Sequence, residues 1–538
     1  MVLPRQGSYE TLYRQFRWDV PEYYNIGIDI CDKWAADPGR LALIYESRGG
    51  QVSRYTFAQI QRLSNQVANL LTEQGVQRGE RVAILLPQAP ETAFAHVATY
   101  KAGAIAVPLF TLFGIDALQY RLADSAVKIL ITDAASAAKI ASVRDQLPEL
   151  RKVYCVDEPI EHCEAFHPAR ARCSEQFESV MTRADDPALI IYTSGTTGKP
   201  KGALHAQRSL LGHLPGVEMS HDLLPHPGDL MWTPADWAWI GGLMDVLMPA
   251  WHHGLPVLAH RFEKFDPEAA FAMMARHDVR NAFIPPTALK MMRAVAHPEQ
   301  RWNFALRSLA SGGESLGAEL LEWGRETFSV TINEFYGQTE CNMVLSSCAH
   351  LFPAMPGAIG KAAPGHDVRI VDDAGLAMPD GQIGNIAVRR PDPVMFLGYW
   401  NNEQATRDKY VGDWLLTGDT GMSHPGGYIR FVGRNDDVIT SAGYRIGPGP
   451  IEDCLLAHPA VQLAAVVGVP DAQRTEIVKA FIVLKPGFSG TASLVRELQE
   501  HVKVRLAAHE YPREVTFVDS LPMTTTGKII RRELRALR

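Results

Sequence analysis

The sequence has no feature that would direct it into a membrane or onto a nucleic acid. Its most apolar stretch, AGAIAVPLFTLFGI at 102–115, is interrupted by Gly103, Pro108 and Gly114. It is also shorter than the ~20 residues that a membrane-spanning helix needs. The formal net charge is -7 and no long basic run is present, whereas sequence-independent binding of nucleic acid needs a cationic surface. We therefore expect no transmembrane segment and no nucleic-acid partner.

Signals for secretion and for disulfides are also missing. The N-terminal stretch MVLPRQGSYETLYRQFRWD lacks the charged start and apolar core of a secretory signal. The 7 cysteines are odd in number and include no C-x-x-C pair, as is usual for reduced thiols. Together these absences predict a cytoplasmic protein.

The remaining composition is that of a folded protein with more than one structural unit. Hydrophobic residues make up 46% and charged residues 21% of the 538 positions, and this length exceeds what one hydrophobic core supports. Between helical stretches such as FAQIQRLSNQVANLLTEQG, short β-rich runs recur: RVAILLP (81–87), AIAVPL (104–109), KILITD (128–133) and LIIYT (189–193). This alternation predicts an α/β fold with parallel or mixed sheets.

The pattern changes after GRNDDVIT at 433–440. The strand-like runs LAAVVGV, KAFIVLK and REVTFVD follow, with one helical segment near 491–508. We predict a large N-terminal unit over 1–435 and a small α+β unit over 436–538 that moves as one body.

The loop YTSGTTGKPKG at 192–202 directly follows a predicted strand. Its backbone N–H groups and its hydroxyls can surround an anion, and Lys199 and Lys201 supply positive charge. The loop is not the G-x-x-x-x-G-K-[ST] loop of P-loop NTPases, because Pro200 follows Lys199 and Thr193 stands where the first glycine belongs. It predicts a phosphate site of another kind.

That loop resembles the signature of the adenylate-forming superfamily, which includes acyl-CoA synthetases, luciferases and peptide-synthetase adenylation domains. Six further stretches are similar to the superfamily's core motifs and occur in the same order: YKAGAIAVPL (100–109), SGGESL (311–316), EFYGQTE (334–340), WLLTGD (414–419), GRNDDVITSAGYRIGP (433–448) and PMTTTGK (522–528). The resemblance implies an enzyme that uses ATP, Mg²⁺ and coenzyme A. A carboxylate attacks the α-phosphate of ATP to give an acyl-AMP, and the thiol of CoA then displaces AMP.

The resemblance also implies the residues of the ATP site. They are Thr193, Ser194, Gly195, Thr196, Thr197, Gly198, Lys199, Pro200, Lys201, Gly313, Glu314, Ser315, Glu334, Phe335, Tyr336, Gly337, Gln338, Thr339, Asp419, Arg434 and Lys528.

Roles within this set follow from the same resemblance. Lys528, Thr193 and Glu340 are the catalytic candidates; Lys528 would stabilise the pentacovalent phosphorus, and Glu340 would hold Mg²⁺. Lys528 would also be the target of a lysine acetyltransferase, since acetylation removes its charge.

Other motif residues are implied to contact the nucleoside. Thr339 would contact the α-phosphate, Tyr336 would stack on adenine, and Glu334 would lie near the amino group of the base. Asp419, flanked by Arg434, would bind the ribose hydroxyls.

The second half-reaction is assigned by resemblance as well. Asp436 occupies the hinge position, and Gly443, Tyr444 and Arg445 match the loop along the path of the CoA thiol. Pro450, in GPGPIED at 447–453, departs from the usual pattern, which carries an acidic residue there.

The acid expected is short- to medium-chain, straight or branched. Acetate-specific relatives carry tryptophan where this sequence has Gly337, and we expect the glycine to leave that volume open. The segment WAWIGGLMDVLMPAW at 237–251 resembles the pocket-lining helix. The pocket candidates are Trp239, Gly241, Gly242, Gly312 and Gly337.

Two other functions are considered. Asp236 could bind an amine, so a free-standing enzyme that adenylates an aryl or amino acid for a carrier protein is an alternative. A catalytically inactive binding protein is disfavoured because Lys528, Glu340 and Asp419 are all present.

Overall fold

The computed structural model describes residues 2–193, 199–314, 316–434, 437–441, 444–471, 474–506, 510–523 and 529–537. Its strands are β1 Leu41–Glu46, β2 Val52–Thr56, β3 Arg81–Leu85, β4 Ile105–Pro108, β5 Ile129–Thr132, β6 Lys152–Cys155, β7 Glu164–Ala165, β8 Pro187–Thr193, β9 Lys201–Ala206, β10 Met231–Trp232, β11 Val257–His260, β12 Asn281–Phe283, β13 Ser308–Gly312, β14 Ile332–Gln338, β15 Cys341–Ser346, β16 Lys361–Ala362, β17 Val368–Val371, β18 Ile383–Arg389, β19 Gly398–Tyr399, β20 Tyr410–Val411, β21 Trp414–His424, β22 Tyr428–Arg434, β23 Ile439–Ser441, β24 Tyr444–Ile446, β25 Val461–Asp471, β26 Thr475–Leu484 and β27 Glu514–Phe517.

The α-helices of the same ranges are α1 Tyr9–Gln15, α2 Ile26–Ile30, α3 Phe57–Glu73, α4 Pro90–Lys101, α5 Ile115–Asp124, α6 Ala134–Ala141, α7 Phe166–Ala171, α8 Ser209–Ser220, α9 Ile240–Gly242, α10 Met248–His252, α11 Pro267–Arg276, α12 Pro286–Arg293, α13 Pro298–Arg301, α14 Ala318–Phe328, α15 Glu403–Arg407, α16 Pro448–Leu456, α17 Ala492–Arg505 and α18 Arg531–Ala536. A π-helical segment, Leu243–Leu247, joins α9 to α10.

Two large sheets form the first part of the chain, as the alternating sequence pattern predicted. Their strand orders are β19-β9-β8-β4-β3-β5-β6-β7 and β16-β15-β14-β13-β12-β10-β11-β1-β2. Neighbours from β3 to β8 and from β10 to β14 run parallel, while β9, β2 and β15 are antiparallel to their partners. The α/β fold class is confirmed.

A layer of helices lies between the two sheets. In β3, Val82 and Ile84 pack toward α3, α4 and α8, whereas the alternate residues Ala83 and Leu85 belong to the core on the outer face. Side chains alternate between the two faces of a strand, so a strand covered on both faces is apolar at every position. This is why RVAILLP contains no polar alternation.

Two smaller sheets complete the fold. The first has the order β17-β18-β21-β20, with β22 paired to β21, and the second has the order β24-β23-β26-β25, with β27 paired to β26. The last strand of the first, β22, ends at Arg434, and the first strand of the second, β23, begins at Ile439. The boundary that we predict at 435/436 lies between these sheets. The small second unit has α+β character, as expected.

The described residues include no helix that is both long enough and apolar enough to cross a membrane.

Candidate active site

The candidate site lies at one edge of the second large sheet. Strands β12, β13 and β14 are parallel neighbours, so their carboxyl ends, near Phe283, Gly312 and Gln338, meet at the same edge. Ligands of open α/β sheets commonly bind at such edges. Of the predicted site residues, Ser194, Gly195, Thr196, Thr197, Gly198, Ser315, Asp436, Gly443 and Lys528 lie outside the described residues.

The two ends of the phosphate loop are joined by strand pairing. Thr193, the last residue of β8, pairs with Lys201, the first residue of β9, and the Thr193 hydroxyl donates to the Lys201 carbonyl at 3.4 Å. The Lys201 ammonium lies 5.1 Å from the ring centroid of Tyr399. The loop is therefore closed at its base with one lysine directed to an aromatic face.

The other lysine of the loop contacts a different aromatic residue. Lys199 Nζ lies 5.4 Å from the ring centroid of Tyr120, and the Tyr120 hydroxyl donates to the Pro200 carbonyl at 3.1 Å. Each lysine of the motif thus lies beside an aromatic ring next to the loop.

Glu340 is brought to Lys201 through the same Tyr399. The Tyr399 hydroxyl donates to Glu340 Oε1, and the Glu340 carbonyl accepts from the Phe396 backbone N–H at 2.9 Å. Burial, followed by the charge of Glu340, raises the pKa of Tyr399, so its hydroxyl remains a donor. Glu340 is only 7% exposed, and its Oε2 has no hydrogen bond within the part of the chain that the structure describes. One carboxylate oxygen therefore remains for a cation or a donor.

Tyr336, Asp419 and Arg434 form a second group. Asp419 on β21 pairs directly with Arg434 on β22, and the Arg434 Nε lies 3.9 Å from Asp419 Oδ1. The Tyr336 hydroxyl donates to Asp419 Oδ2 at 2.6 Å. Burial and the nearby Asp419 charge raise the pKa of Tyr336 well above its ordinary value. These three predicted residues are brought together by two different sheets.

The end of β14 is held by a lysine that sequence reasoning missed. Lys409 Nζ donates to Gln338 Oε1 at 3.0 Å, and Gln338 Nε2 donates to the Thr417 carbonyl at 2.8 Å. Thr339 lies in the turn between β14 and β15. These contacts fix the strand that carries Tyr336 against β21.

The SGGESL segment continues from the end of β13. A Cβ on Gly312 would lie 2.7 Å from the ring of Phe335, and Gly313 has a φ of +93°, so both positions favour glycine. The Thr287 hydroxyl lies 2.9 Å from both carboxylate oxygens of Glu314 and donates to that carboxylate. Glu314 is thus oriented toward α12.

Glu334 faces the second unit of the chain. It lines a small cavity together with Asp453 and Pro450 of α16 and Arg430 of β22. Burial raises the pKa of Glu334 to about 8, with a smaller contribution from Asp453. Burial likewise raises the pKa of Asp453 to about 6. Two carboxyl groups from different units therefore share one cavity.

Pro450 fits this helix without strain. It lies in the first turn of α16, which begins at Pro448, where the backbone N–H groups have no intrahelical acceptor. The GPGP departure from the usual pattern is therefore compatible with a regular helix start.

The predicted pocket-lining segment is helical and contains the π-helical turn. Trp239 precedes α9, and its ring lies 5.5 Å from that of Phe110 and 5.8 Å from that of Phe113. A Cβ on Gly241 would lie 3.0 Å from the Phe283 ring, whereas one on Gly242 would collide with the preceding backbone carbonyls. Helix α9 therefore approaches its neighbours closely at both glycines.

The expectation that Gly337 leaves an open volume is wrong. A Cβ at this position would lie 2.5 Å from Asn342 Cα, Asn342 Oδ1 and Met343 N. Gly337 lies at the irregularity between β14 and β15, where the two strands approach each other. The glycine is required by close backbone packing against Asn342 and Met343, which occupy the volume that was expected to be open.

Asn342 also reaches the π-helical turn. Its Nδ2 donates to Asp245 Oδ1 at 2.7 Å. Asp245 is only 2% exposed, and burial raises its pKa well above the ordinary value. Asp236, the alternative amine ligand, accepts from the Ala238 backbone N–H at 2.8 Å, and burial raises its pKa to about 6.

The structure describes residues on both sides of the predicted hinge, Asp436, and on both sides of the segment that contains Lys528. Arg535 of α18 contacts Asp437 Oδ1 at 2.7 Å, and Arg531 lies 3.5 Å from Asp437 Oδ2. Met523 and Ile529 form an antiparallel bridge around the segment that contains Lys528. Of the predicted CoA residues, Tyr444 and Arg445 belong to β24, which pairs with β23.

Comparisons with known proteins cover nearly the whole chain. The AMP-binding enzyme family matches residues 31–400, and the AMP-binding enzyme C-terminal domain matches residues 450–528. Human acyl-coenzyme A synthetase ACSM4, mitochondrial, is 36% identical over 98% of this chain and 93% of its own length.

Solved structures give the same result. The acyl-CoA synthetase of Brucella canis is 34% identical, with a TM-score of 0.77 over 99% of both chains. The anthranilate CoA ligase AuaEII, solved with anthranoyl-AMP, is 30% identical, with a TM-score of 0.87 over 96% of this chain and 98% of its own.

The comparisons contradict the expected cytoplasmic location. The curated relatives that match nearly the whole chain are named as mitochondrial proteins. The expectation was based on the missing secretory signal and on cysteines typical of reduced thiols, and neither observation distinguishes the cytoplasm from mitochondria.

Proposed function

The chain belongs to the family of AMP-binding enzymes and is an AMP-forming ligase that joins a carboxylic acid to coenzyme A at the expense of ATP; we propose that its acid is short- to medium-chain, straight or branched. The observation that supports this proposal is that Asn342 and the β15 backbone occupy the volume beside Gly337, which would close that side of the proposed acyl pocket. A closed side limits the length of the acyl chain. Each further buried CH₂ contributes about 0.8 kcal/mol, so we expect neighbouring chain lengths to differ by a graded amount.

In the proposed site, Asp419 and Arg434 bind the ribose and Tyr336 lies beside the base. The hydrogen bond from Tyr336 to Asp419 supports this placement, because it holds the tyrosine ring next to the group that accepts from the sugar hydroxyls. Asp419 retains its second oxygen, Oδ1, toward Arg434.

The phosphates would lie between Lys201, Thr193 and Glu340. Glu340 fits a magnesium ion, because its Oε2 is a hard oxygen ligand with no hydrogen bond among the described residues and Tyr399 already orients the carboxylate. When bound, Mg²⁺ neutralises charge on the phosphates. Magnesium sites of this kind take one or two carboxylates plus substrate phosphates, so a single protein carboxylate is sufficient.

The family resemblance supplies the remaining roles. We propose that Lys528 stabilises the charge that develops at the α-phosphorus, that Asp436 is the hinge, and that Gly443, Tyr444 and Arg445 line the path of the CoA thiol. A preorganised donor of this kind typically contributes 10²- to 10³-fold to the rate. Modification of Lys528 by an acetyltransferase remains a prediction.

A product assay tests the proposal. The protein would be incubated with ATP, Mg²⁺, CoA and C2 to C10 straight, branched, aromatic and amino acids, and AMP and acyl-CoA would be measured by mass spectrometry. We expect one short- to medium-chain series to dominate. Accumulation of an aryl- or aminoacyl-AMP without thioester would instead favour the carrier-protein alternative.

A further inference from the structure

We infer that Asp245 recognises an oxo or hydroxyl group on the acyl chain, so that the preferred acids carry an oxygen substituent away from the reacting carboxylate. This inference rests on the proposed function and on the proposed acyl pocket. It starts from a buried carboxyl group that the reaction itself does not use.

Asp245 lies among the predicted pocket residues. It is four positions after Gly241 in a continuous helical segment, so its side chain lies over the glycine. Its Oδ2 is 3.7 Å from the position that a Cβ on Gly241 would occupy, and the Phe283 ring is 3.0 Å from that same position. Because Gly241 has no side chain, Oδ2 is left uncovered beside an aromatic wall.

The opposite oxygen of the same carboxyl group is already occupied. Oδ1 accepts from Asn342 Nδ2 at 2.7 Å, and Asn342 in turn packs against Gly337. Within the residues that the structure describes, Oδ2 has no hydrogen-bond partner. The second oxygen of this carboxyl group is therefore available to a ligand.

The protonation state defines the chemistry of the group. Burial raises the pKa of Asp245 well above its ordinary value, which favours the neutral carboxylic acid over the carboxylate. Since Oδ1 accepts from Asn342, the proton belongs on Oδ2, which then acts as a donor. A neutral donor beside Phe283 suits an uncharged acceptor. An ammonium would require an ionised carboxylate, and a second carboxylate would bring an uncompensated charge into an apolar wall.

The helix geometry at this point is unusual. Leu243–Leu247 is π-helical, and single π-helical turns inside α-helices occur frequently at functional sites. The wider turn contains Asp245, so the irregular backbone and the uncovered carboxyl group coincide.

The experiment measures kcat/KM for acids matched in length. Hexanoate, 5-oxohexanoate and 5-hydroxyhexanoate form one set, and the C4 and C8 acids with their oxo and hydroxy derivatives form two more. The wild-type enzyme is expected to prefer the oxygenated acid of at least one set by tenfold or more. Asp245→Leu should abolish this preference, whereas Asp245→Asn, which keeps a neutral donor, should retain it within about threefold.

A neighbouring substitution serves as the matched control. Met244 is buried in the same π-helical turn, and Met244→Leu conserves volume, so the ratio between matched acids should stay unchanged. Thioester formation without preference for oxygenated acids in the wild type would overturn the inference alone. So would an unchanged ratio in Asp245→Leu, or a preference for amino acids. Absence of acyl-CoA from every acid would refute the proposed function instead. If Asp245→Leu fails to fold, the wild-type preference and its retention in Asp245→Asn decide.

Discussion

Replacement of Gly337 by alanine should destabilise the N-terminal unit. The added Cβ would lie 2.5 Å from Asn342 Cα and Met343 N, about 1 Å inside the usual contact distance of 3.5–4.0 Å between carbon atoms. Both neighbouring atoms are backbone atoms of β15, which is hydrogen-bonded to β14, so neither can rotate away.

The magnitude follows from two opposing contributions. Overpacking costs about 1–3 kcal/mol, and the loss of glycine's freedom in the unfolded chain returns about 0.4–1 kcal/mol. Taking the middle of each range, the net destabilisation is about 1.3 kcal/mol. For a unit of this size, an unfolding entropy of about 2.1 cal/mol/K per residue converts each kcal/mol into roughly 1 °C of Tm.

Differential scanning calorimetry can measure this shift in Tm. A second glycine-to-alanine variant serves as a control for the effect of alanine on the unfolded chain. Gly49 lies in a turn where an added Cβ would meet only Ser47 Oγ at 3.9 Å, so Gly49→Ala should leave Tm unchanged or raise it slightly. We expect Gly337→Ala to melt roughly 1–2 °C below the wild type. An equal Tm for the wild type and both variants would refute the packing argument.

The bulkier Gly337→Trp separates the two interpretations of this position. If the glycine left an open floor, tryptophan would fit and would shift preference toward acetate. Because even a Cβ collides with β15, we expect loss of folded protein instead. A stable Gly337→Trp enzyme with improved kcat/KM for acetate would contradict this expectation, because it would show that the backbone of β15 can move to accommodate the side chain.

Three further predictions concern charge. The pKa of Glu334 is about 8 in the folded protein and ~4.3 in the unfolded chain, so the folded state favours the protonated carboxyl group. Its contribution to stability is complete below pH ~4 and is lost as the pH rises to 8. The raised pKa of Asp453, about 6, acts in the same direction. Wild-type Tm should therefore fall relative to Glu334→Gln between pH 5 and 9, and parallel profiles would contradict this. The ammonium group of Lys101 is fully buried and lies 2.6 Å from Asp32 Oδ1. Asp32→Asn should therefore lower the free energy of unfolding, measured with denaturant, by about 3–5 kcal/mol. A loss below about 1 kcal/mol would mean that water replaces the counter-ion. Lys528→Ala should abolish acyl-AMP formation from acid and ATP but allow thioester formation from supplied acyl-AMP, and equal loss of both would reject its assigned role.

Site residues could be predicted from the sequence where they are contiguous in the chain. The phosphate loop and the EFYGQTE and WLLTGD stretches could be recognised as units, and the apolar runs predicted the parallel strands because both faces of those strands are covered. Pairing across β21 and β22 then places Asp419 beside Arg434 without further information.

Contacts between distant segments could not be predicted in this way. Tyr399 is 59 residues from Glu340, and Asp245 is 97 residues from Asn342. Neither pair has a characteristic spacing, because each depends on which strands become neighbours. Gly337 was misinterpreted for the same reason, since the space around a glycine is defined by a different strand.

The ion pairs from α18 to Asp437 have a mechanical consequence. Asp437 directly follows the proposed hinge residue, and Arg531 and Arg535 attach it to the helix that begins three residues after Lys528. A rotation at the hinge would therefore move α18 and Asp437 together as one rigid piece. Lys528 would then move together with the whole second unit. The rotation that brings this unit into the thioester-forming conformation would also remove Lys528 from the ATP site, so no separate signal would be needed.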